Sequence, residues 1–259
     1  MKTQKIGVNL RHLWLVLSAL IVTANGRAEE NLNFARAFGR HMVLQQGQPV
    51  PVWGTAKPEA KVTIALGIQK KTAIANTDGR WETVFPSLKA KGQTLRITAE
   101  TATGKTTLDD ILVGEVWLCA GQSNMEWKLS QSASAKTAIP AAKHARLRLF
   151  NFLGAARGGG GEYTPELTKR LTPQRFCSGQ WRECSPDSAA PFSAVGYFFG
   201  QKLLADLNLP VGLINVAMGG TPAEAWVRRG ALAAHPQLVA MTRAVWGHFL
   251  EMIRILRRV

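Results

Sequence analysis

One serine of the sequence stands where it could act as a nucleophile. Ser123 follows a mostly apolar run at residues 111–119, whose lack of strict alternation predicts a strand covered on both faces of a parallel sheet. A hydroxyl at the carboxyl end of such a strand lies at the edge where α/β proteins bind ligands. Backbone N–H groups at the start of a following helix could stabilise an oxyanion there. A second interpretation stays open, in which Ser123 only caps that helix.

The turn around Ser123 differs from the nucleophile elbow of the α/β-hydrolases. That elbow has the pattern G-x-S-x-G, which requires a glycine where this chain has Met125. Gly121, two residues before the serine, permits the tight turn that a close approach of the backbone needs. The residue types therefore indicate acyl transfer by a serine without identifying the hydrolase class.

The region before this strand has the residue pattern of a small antiparallel domain. Between Pro49 and Leu108, turn residues separate five short stretches of strand-like composition. The predicted strands are residues 50–53, 61–66, 71–75, 81–85 and 95–99. Such spacing predicts a β-sandwich. Trp53 and Trp81 are expected in its core, with sugar stacking as the alternative.

The region after residue 110 predicts an α/β layer. Ser193 can cap a helix that ends before Pro210, and residues 211–216 form the next buried strand. We expect the helix to pack through one apolar face, formed by Val195, Phe198, Phe199, Leu203 and Leu207. The order strand, helix, strand favours a parallel sheet with right-handed crossovers.

The amino terminus resembles an export signal. Lys2, Lys5 and Arg11 precede an apolar run at residues 13–22, and Gly26 and Ala28 supply small residues at cleavage spacing. Residues 1–28 are therefore predicted to be a signal peptide, and the protein to be secreted or periplasmic without stable membrane insertion after cleavage. An uncleaved anchor is the alternative.

The basic balance of the chain does not indicate a nucleic-acid partner. The chain has 32 Lys and Arg residues against 17 acidic ones; removing the four basic residues of the leader leaves 28, so the net charge falls from +15 to +11. These residues are scattered, and no nucleic-acid motif accompanies them. Residues 241–259 read as an atypical basic amphipathic tail, with membrane-surface binding as the alternative.

The three cysteines allow one disulfide in an exported protein. Cys177 and Cys184 share a loop-like stretch and are the favoured pair, whereas Cys119 lies inside an apolar run. No Cys/His pairs at zinc spacing occur, so the sequence predicts neither a metal nor another cofactor.

Six segments together resemble the sialate O-acetylesterase family of SGNH hydrolases. The most specific are GQSNMEW at residues 121–127 and GGTPAEAW at residues 219–226. The others are FSAVGYFF at 192–199, PVGLIN at 210–215, MVLQ at 42–45 and VWG at 52–54. The resemblance covers residues 38–236 and implies an acetylated carbohydrate substrate: sialic acid or a related sugar, with acetylxylan as an alternative.

The resemblance also implies roles for single residues. Ser123 matches the nucleophile and contributes its own N–H to the oxyanion hole, and Gly219 and Gly220 match the segment that donates a second N–H, with Gly220 favoured. Asn124 and Glu126 belong to the motif, where they orient the turn. Candidate pocket residues are Gln122, Asn124, Thr221, Glu224 and Trp226, with ordinary packing at the helix start as the alternative for the last three.

The fold implied is an incomplete SGNH-type three-layer α/β domain at residues 109–240, preceded by the β-sandwich at 29–108. A serine needs a base, and the family supplies it from an Asp-x-x-His block together with an oxyanion asparagine from a Gly-Glu-Ser-Asn block. Neither block occurs in this chain. We therefore expect a truncated, impaired esterase, with a non-catalytic remnant or sugar-binding module as the alternative.

Overall fold

A computed structural model describes residues 32–154, 165–170, 177–221, 223–227 and 229–235. The predicted signal peptide at 1–28 and the tail at 241–259 lie outside the described residues, so both stay predictions. Within the described part of the chain, no helix is long and apolar enough to cross a membrane.

The described residues form a mixed α/β fold with many strands and few helices. The strands are β1 (Asn33–Phe34), β2 (Val43–Gln45), β3 (Val50–Thr55), β4 (Lys61–Leu66), β5 (Gln69–Ile74), β6 (Arg80–Phe85), β7 (Leu95–Glu100), β8 (Lys105–Cys119), β9 (His144–Asn151), β10 (Leu153–Gly154), β11 (Cys177–Ser178), β12 (Trp181–Cys184) and β13 (Val211–Asn215). The α-helices are α1 (Ser123–Glu126), α2 (Ala135–Ala141), α3 (Pro165–Arg170), α4 (Pro186–Ala189), α5 (Ala194–Leu207) and α6 (Arg229–Ala233). Short 3-10 helices cover Leu129–Gln131 and Ala223–Trp226.

The largest sheet joins a parallel part to an antiparallel part. Its strand order is β12-β9-β13-β8-β7-β4-β5, and β2 also pairs with β8. Strands β9, β13, β8 and β2 run parallel to one another, whereas β12, β7, β4 and β5 each pair with an antiparallel neighbour. A separate antiparallel sheet has the order β1-β3-β6.

Strand β8 belongs to both parts. Residues 105–111 pair with β7, and residues 115–119 pair with β13. Asp110 has a left-handed backbone with φ 55°, near the point where the partner changes. The domain boundary predicted between residues 108 and 109 therefore falls inside one continuous strand.

The five strands predicted before residue 108 are present with shifts of one or two residues at their ends. Alternating burial in β3 and β4 explains why they could be read from the sequence. Trp81 is buried in the main core, where it packs edge-on against Phe34, and Trp53 packs edge-on against Phe38. Both tryptophans therefore serve packing, as expected.

Helix α5 begins as predicted, because Ser193 Oγ accepts a hydrogen bond from the Gly196 N–H. Of the five residues predicted to share its apolar face, Leu203 is partly buried against the core, but the prediction is wrong for the other four. The residues that face the sheet are Ala194, Gly196, Tyr197 and Gly200, whereas Val195, Phe198, Phe199 and Leu207 are exposed. Glycines let the helix come close to the sheet: a Cβ at Gly200 would lie 2.5 Å from Leu213 Cδ1.

The prediction of a disulfide is also wrong. Cys184 is a free, buried cysteine, so its predicted bridge to Cys177 is not formed. Its position in the core beneath α5 explains the difference, because the sequence pattern had assigned it to a loop. Burial raises the pKa of the Cys184 and Cys119 thiols to about 11, so both behave as small apolar side chains.

Candidate functional site

Ser123 is the first residue of helix α1, immediately after the turn that follows β8. The turn depends on Gly121, whose φ of 144° is unfavourable for residues with a side chain. Ser123 is exposed. The hydroxyl therefore follows the carboxyl end of β8, as predicted. The expectation that residues 111–119 are covered on both faces is wrong at Trp117 and Leu118, which are exposed.

The Ser123 hydroxyl and its own backbone N–H point at the same atom. Gln122 Oε1 accepts a hydrogen bond from the Ser123 N–H at 2.7 Å and a second one from Ser123 Oγ. The N–H that was predicted to donate to an oxyanion is thus occupied by a side-chain oxygen. A substrate carbonyl oxygen would have to displace Gln122 Oε1 to receive that bond.

The loop after β13 lies beside this turn. The pairing of β8 and β13 continues past their ends: Val216 N–H donates to Cys119 O and Met218 N–H donates to Gly121 O, both at 3.0 Å. A Cβ built on Gly219 would lie 4.0 Å from Ser123 Cα. The predicted proximity of Ser123 and the glycine pair is therefore found.

Glu126 links the two loops. Its Oε2 accepts a hydrogen bond from the Gly219 N–H at 2.7 Å, across 93 residues of sequence. A Cβ on Gly219 would lie only 2.5 Å from that oxygen, so a residue with a side chain would disturb the contact. Gly220, with φ 77°, has no hydrogen-bond partner for its N–H among the described residues. Of the two glycines, Gly220 is the one whose N–H is available to a ligand.

A shallow cavity of about 260 Å³ opens beside the serine. Its lining consists of Ser123, Glu126, Trp127, Lys128, Gln131 and Gly219. Sequence reasoning did not assign Trp127, Lys128 and Gln131 to the pocket. Trp127 ends the serine motif, and Lys128 and Gln131 follow it within four residues; this closeness in sequence was the available signal.

The other predicted pocket residues divide into two groups. Thr221 is buried, donates its hydroxyl hydrogen to Met218 O at 2.7 Å, and accepts a bond from Trp226 Nε1 at 3.0 Å. Both side chains therefore stabilise the loop, and Trp226 also packs against the main core. Asn124 is exposed on α1. The Glu224 side chain lies outside the described part of the structure.

Two asparagines at the same sheet edge were missed by sequence reasoning. Asn215 and Asn151 end β13 and β9, level with Cys119 at the end of β8. Asn215 Nδ2 donates to Asn151 Oδ1 at 2.9 Å, and Asn215 is buried. A polar residue ending a buried apolar strand was the available signal.

Among the described residues, no histidine forms a hydrogen bond with Ser123. His144 starts β9, at the opposite end of the parallel strands, and the pairing register puts it about 23 Å from the level of Cys119, which precedes the Ser123 turn, at about 3.3 Å per residue. His41 bonds to Asp110, and His235 follows α6 on the surface. No histidine is among the described residues that line the cavity.

A charged cluster lies at the junction of the two sheet parts. His41 Nδ1 is 2.5 Å from Asp110 Oδ2, and the buried Arg148 guanidinium donates to the same oxygen at 2.6 Å. Glu183 lies 3.4 Å from Arg148. Burial would raise the pKa of Asp110, but hydrogen bonds and charges from Arg148 and His41 lower it below its usual value.

His41, Asp110 and Glu183 have ligand atoms within 4.8 Å of one another, which is the spacing of a metal site. The Arg148 guanidinium already supplies the positive charge between the two carboxylates. The cluster is therefore an ion-pair network that joins β8, β9 and β12 to the segment before β2.

Comparison with known proteins gives consistent results. Curated sialate O-acetylesterases of Rattus norvegicus and Homo sapiens are 28% and 29% identical over 243 and 239 residues, which are 88% and 86% of this chain and 43% of each relative. The crystal structure of a carbohydrate acetylesterase from Xanthomonas citri is 33% identical with a TM-score of 0.65, and the match covers 78% of this chain and 43% of that protein. No family model matches the chain.

The resemblance to sialate O-acetylesterases is thereby confirmed: the chain is homologous to them along most of its length. It spans less than half the length of the relatives that it matches. The Xanthomonas structure has the same mixed α/β fold.

Proposed function

We propose that this chain carries the nucleophile of a serine acetylesterase that removes O-acetyl groups from sialic acid or related acetylated sugars. The observation that carries the proposal is the contact between the Ser123 turn and the Gly219–Gly220 loop at the carboxyl ends of neighbouring parallel strands. The relatives named sialate O-acetylesterase and carbohydrate acetylesterase support this chemistry.

In this reaction Ser123 Oγ attacks the acetyl carbonyl carbon while a base takes the hydroxyl proton. The carbonyl oxygen becomes an oxyanion that accepts bonds from Gly220 N–H and, once Gln122 Oε1 has moved away, from Ser123 N–H. The sugar hydroxyl leaves with a proton, and water then releases acetate from Ser123. Among the described residues no histidine lines the cavity beside Ser123, and the proposal therefore includes that the chain is impaired on its own.

The proposal includes a fold. Strands β9, β13 and β8 with helix α5 form part of an SGNH-type three-layer domain, and the antiparallel sheets before them form the β-sandwich. The core shared by β3, β6, β4 and β7 supports the sandwich.

The chain is also proposed to be exported, and N-terminal sequencing of the exported protein should then show a mature chain that begins near Glu29. An intact Met1 on a cytoplasmic protein would oppose export.

A second function is a sugar-binding module without catalysis. It is favoured by one observation: side-chain oxygens of Gln122 and Glu126 occupy both the Ser123 N–H and the Gly219 N–H. Such a module would keep the cavity beside Ser123 and need no base.

The two functions are separated by acetate release. Purified chain, a Ser123→Ala variant and a buffer blank are incubated with O-acetylated sialic acid and, separately, with acetylxylan. The esterase proposal predicts slow release that Ser123→Ala abolishes, and the preferred substrate identifies the sugar. Saturable binding of either sugar with identical background release from both proteins would favour the binding module instead.

A further inference from the structure

The cavity beside Ser123 is lined on one side by the segment that follows helix α1. Trp127, Lys128 and Gln131 of this segment line it, and the acyl transfer to Ser123 uses none of the three. A volume of about 260 Å³ is below the size of pockets that hold drug-sized ligands, so the cavity suits a single sugar unit. A sugar whose acetyl group lies at Ser123 would therefore contact these side chains.

This segment is held in place by the loop between α4 and α5. The Leu129 N–H donates to Phe192 O at 2.8 Å, and the Ala194 N–H donates to Trp127 O at the same distance. Leu129 is fully buried and packs in the same core cluster as Phe192 and Ala194. The side chains that line the cavity therefore project from a fixed backbone, which lowers the entropy cost of ordering them around a ligand.

Trp127 offers an apolar surface to the cavity. It is 52% exposed, and no aromatic ring among the described residues packs against its indole. An exposed indole beside a cavity of this size is suited to stack on the apolar face of a sugar ring. Stacking binds neutral and acidic sugars alike, so Trp127 would add affinity without choosing between them.

Lys128 supplies the charge that could choose. Among the described residues that line the cavity it is the only cation, and no carboxylate in the described part of the chain forms an ion pair with it. Glu126, the carboxylate of the same lining, already accepts the Gly219 N–H. Lys128 is partly buried, so its charge is screened less than one on an open surface. Such an ammonium favours a ligand with a negative charge.

We infer that Lys128 selects acetylated sugars that carry a carboxylate over neutral ones. The inference rests on the proposed function, which fixes the acetyl group at Ser123. With the sugar ring against Trp127, its carboxylate accepts a charge-assisted hydrogen bond from the Lys128 ammonium. Sialic acids and uronic acids share this chemistry, whereas acetylated xylose does not.

The test measures the binding of two pairs of methyl glycosides to the whole chain by isothermal titration calorimetry. The pairs are N-acetylneuraminic acid and glucuronic acid, each beside its methyl ester, which removes the charge and keeps the ring. We expect the wild-type chain to bind at least one acid about tenfold more tightly than its ester, the effect of one charge-assisted hydrogen bond. The acid that shows the preference identifies the source of the carboxylate.

Variants assign the preference to one side chain. Lys128→Gln should remove the preference and leave the affinity for the ester unchanged, which also shows that the variant is folded. Lys128→Arg should keep the preference, because it keeps the positive charge. Lys136→Gln is the matched control for net charge, since Lys136 is an exposed lysine of α2 outside the cavity lining. Trp127→Ala should weaken the binding of acid and ester by the same factor.

Four results would overturn the inference. The wild-type chain could bind acid and ester equally, or bind neither. Lys128→Gln could keep the preference, or lose affinity for acid and ester together, which would give Lys128 a structural role only. An equal loss of preference in Lys136→Gln would assign the effect to the net charge of the chain and overturn the inference as well.

Binding and hydrolysis are read separately, because the probes carry no O-acetyl group. A Lys128-dependent preference without Ser123-dependent acetate release would count against the esterase proposal alone. Ser123-dependent release from O-acetylated sialic acid, without a Lys128-dependent preference, would count against the selective role of Lys128 alone.

Discussion

Gln122 Oε1 and Glu126 Oε2 each accept a hydrogen bond from a backbone amide beside the Ser123 hydroxyl. The two contacts have different consequences. Gln122 is exposed and adjacent in sequence, so its amide can rotate away when a substrate arrives. Glu126 bridges two loops that are far apart in sequence, and its removal would release the Gly219 loop.

Glu126→Ala is expected to loosen the Gly219 loop without unfolding the sheet. A charge-assisted hydrogen bond contributes roughly 1.5 to 3 kcal/mol, and the partial exposure of Glu126 puts this one at the lower end. Hydrogen exchange at the Gly219 amide should therefore speed up about tenfold. Glu126→Gln, which keeps an acceptor oxygen, is the control and should show a smaller change. Equal exchange rates of the Gly219 amide in all three proteins would contradict the role of Glu126 in positioning the loop.

At the scale of elements, the charged cluster around Asp110 and Arg148 should stabilise the junction of the two sheet parts. Asp110→Ala leaves the buried Arg148 without its closest carboxylate, and breaking a buried pair costs about 3 kcal/mol. Asp109→Ala is the matched control, because the Asp109–Arg96 pair is exposed and contributes less than about 1 kcal/mol. Urea unfolding measures both. Equal losses of unfolding free energy in Asp110→Ala and Asp109→Ala would contradict a stabilising role for the charged cluster.

The same cluster predicts a pH dependence. The folded-state pKa of Asp110 is lowered, so its contribution is present above the unfolded value of about 4 and is lost as the pH falls through the folded value. The difference in unfolding free energy between the wild-type chain and Asp110→Ala should therefore be constant near neutral pH and narrow below about pH 4. A difference that widens on acidification would contradict this sign.

Close packing of β8 against the loop before β13 depends on Gly114. A Cβ at this position would collide with the Pro210 carbonyl, so Gly114→Ala should cost about 2 kcal/mol or more. Gly230 in α6 has open space and is the control, since Gly230→Ala should raise stability by about 0.5 kcal/mol. Thermal unfolding of the two variants checks both directions, and a neutral Gly114→Ala would refute the close approach.

The elements show what a single sequence can predict. Strands β3 and β4 could be located because burial alternates with their residues, and α5 could be started at Ser193 because capping is a local interaction. The packing face of α5 could not be predicted. A sequence pattern assigns large apolar residues to the buried face, whereas this helix packs closely through Gly196 and Gly200. Contacts such as Glu126 with Gly219 join distant segments and leave no local signal.

For the molecule as a whole, the candidate site lies where the carboxyl ends of the parallel strands β8, β13 and β9 meet. Ser123 was identified by its place after a mostly apolar strand and by its resemblance to a known motif, and the structure adds the Glu126–Gly219 hydrogen bond beside it. The central proposal is that Ser123 is an esterase nucleophile and that no histidine base lies beside it among the described residues.

The most direct measurement is p-nitrophenyl acetate hydrolysis by the chain, by its fusion with the unmatched portion of the Xanthomonas acetylesterase, and by Ser123→Ala versions of both. The account predicts near-background rates for the chain alone and rapid hydrolysis by the fusion, which Ser123→Ala lowers about 10³-fold or more. Rapid Ser123-dependent hydrolysis by the chain alone would mean that it already holds a base, and a fusion whose hydrolysis survives Ser123→Ala would contradict the nucleophile itself.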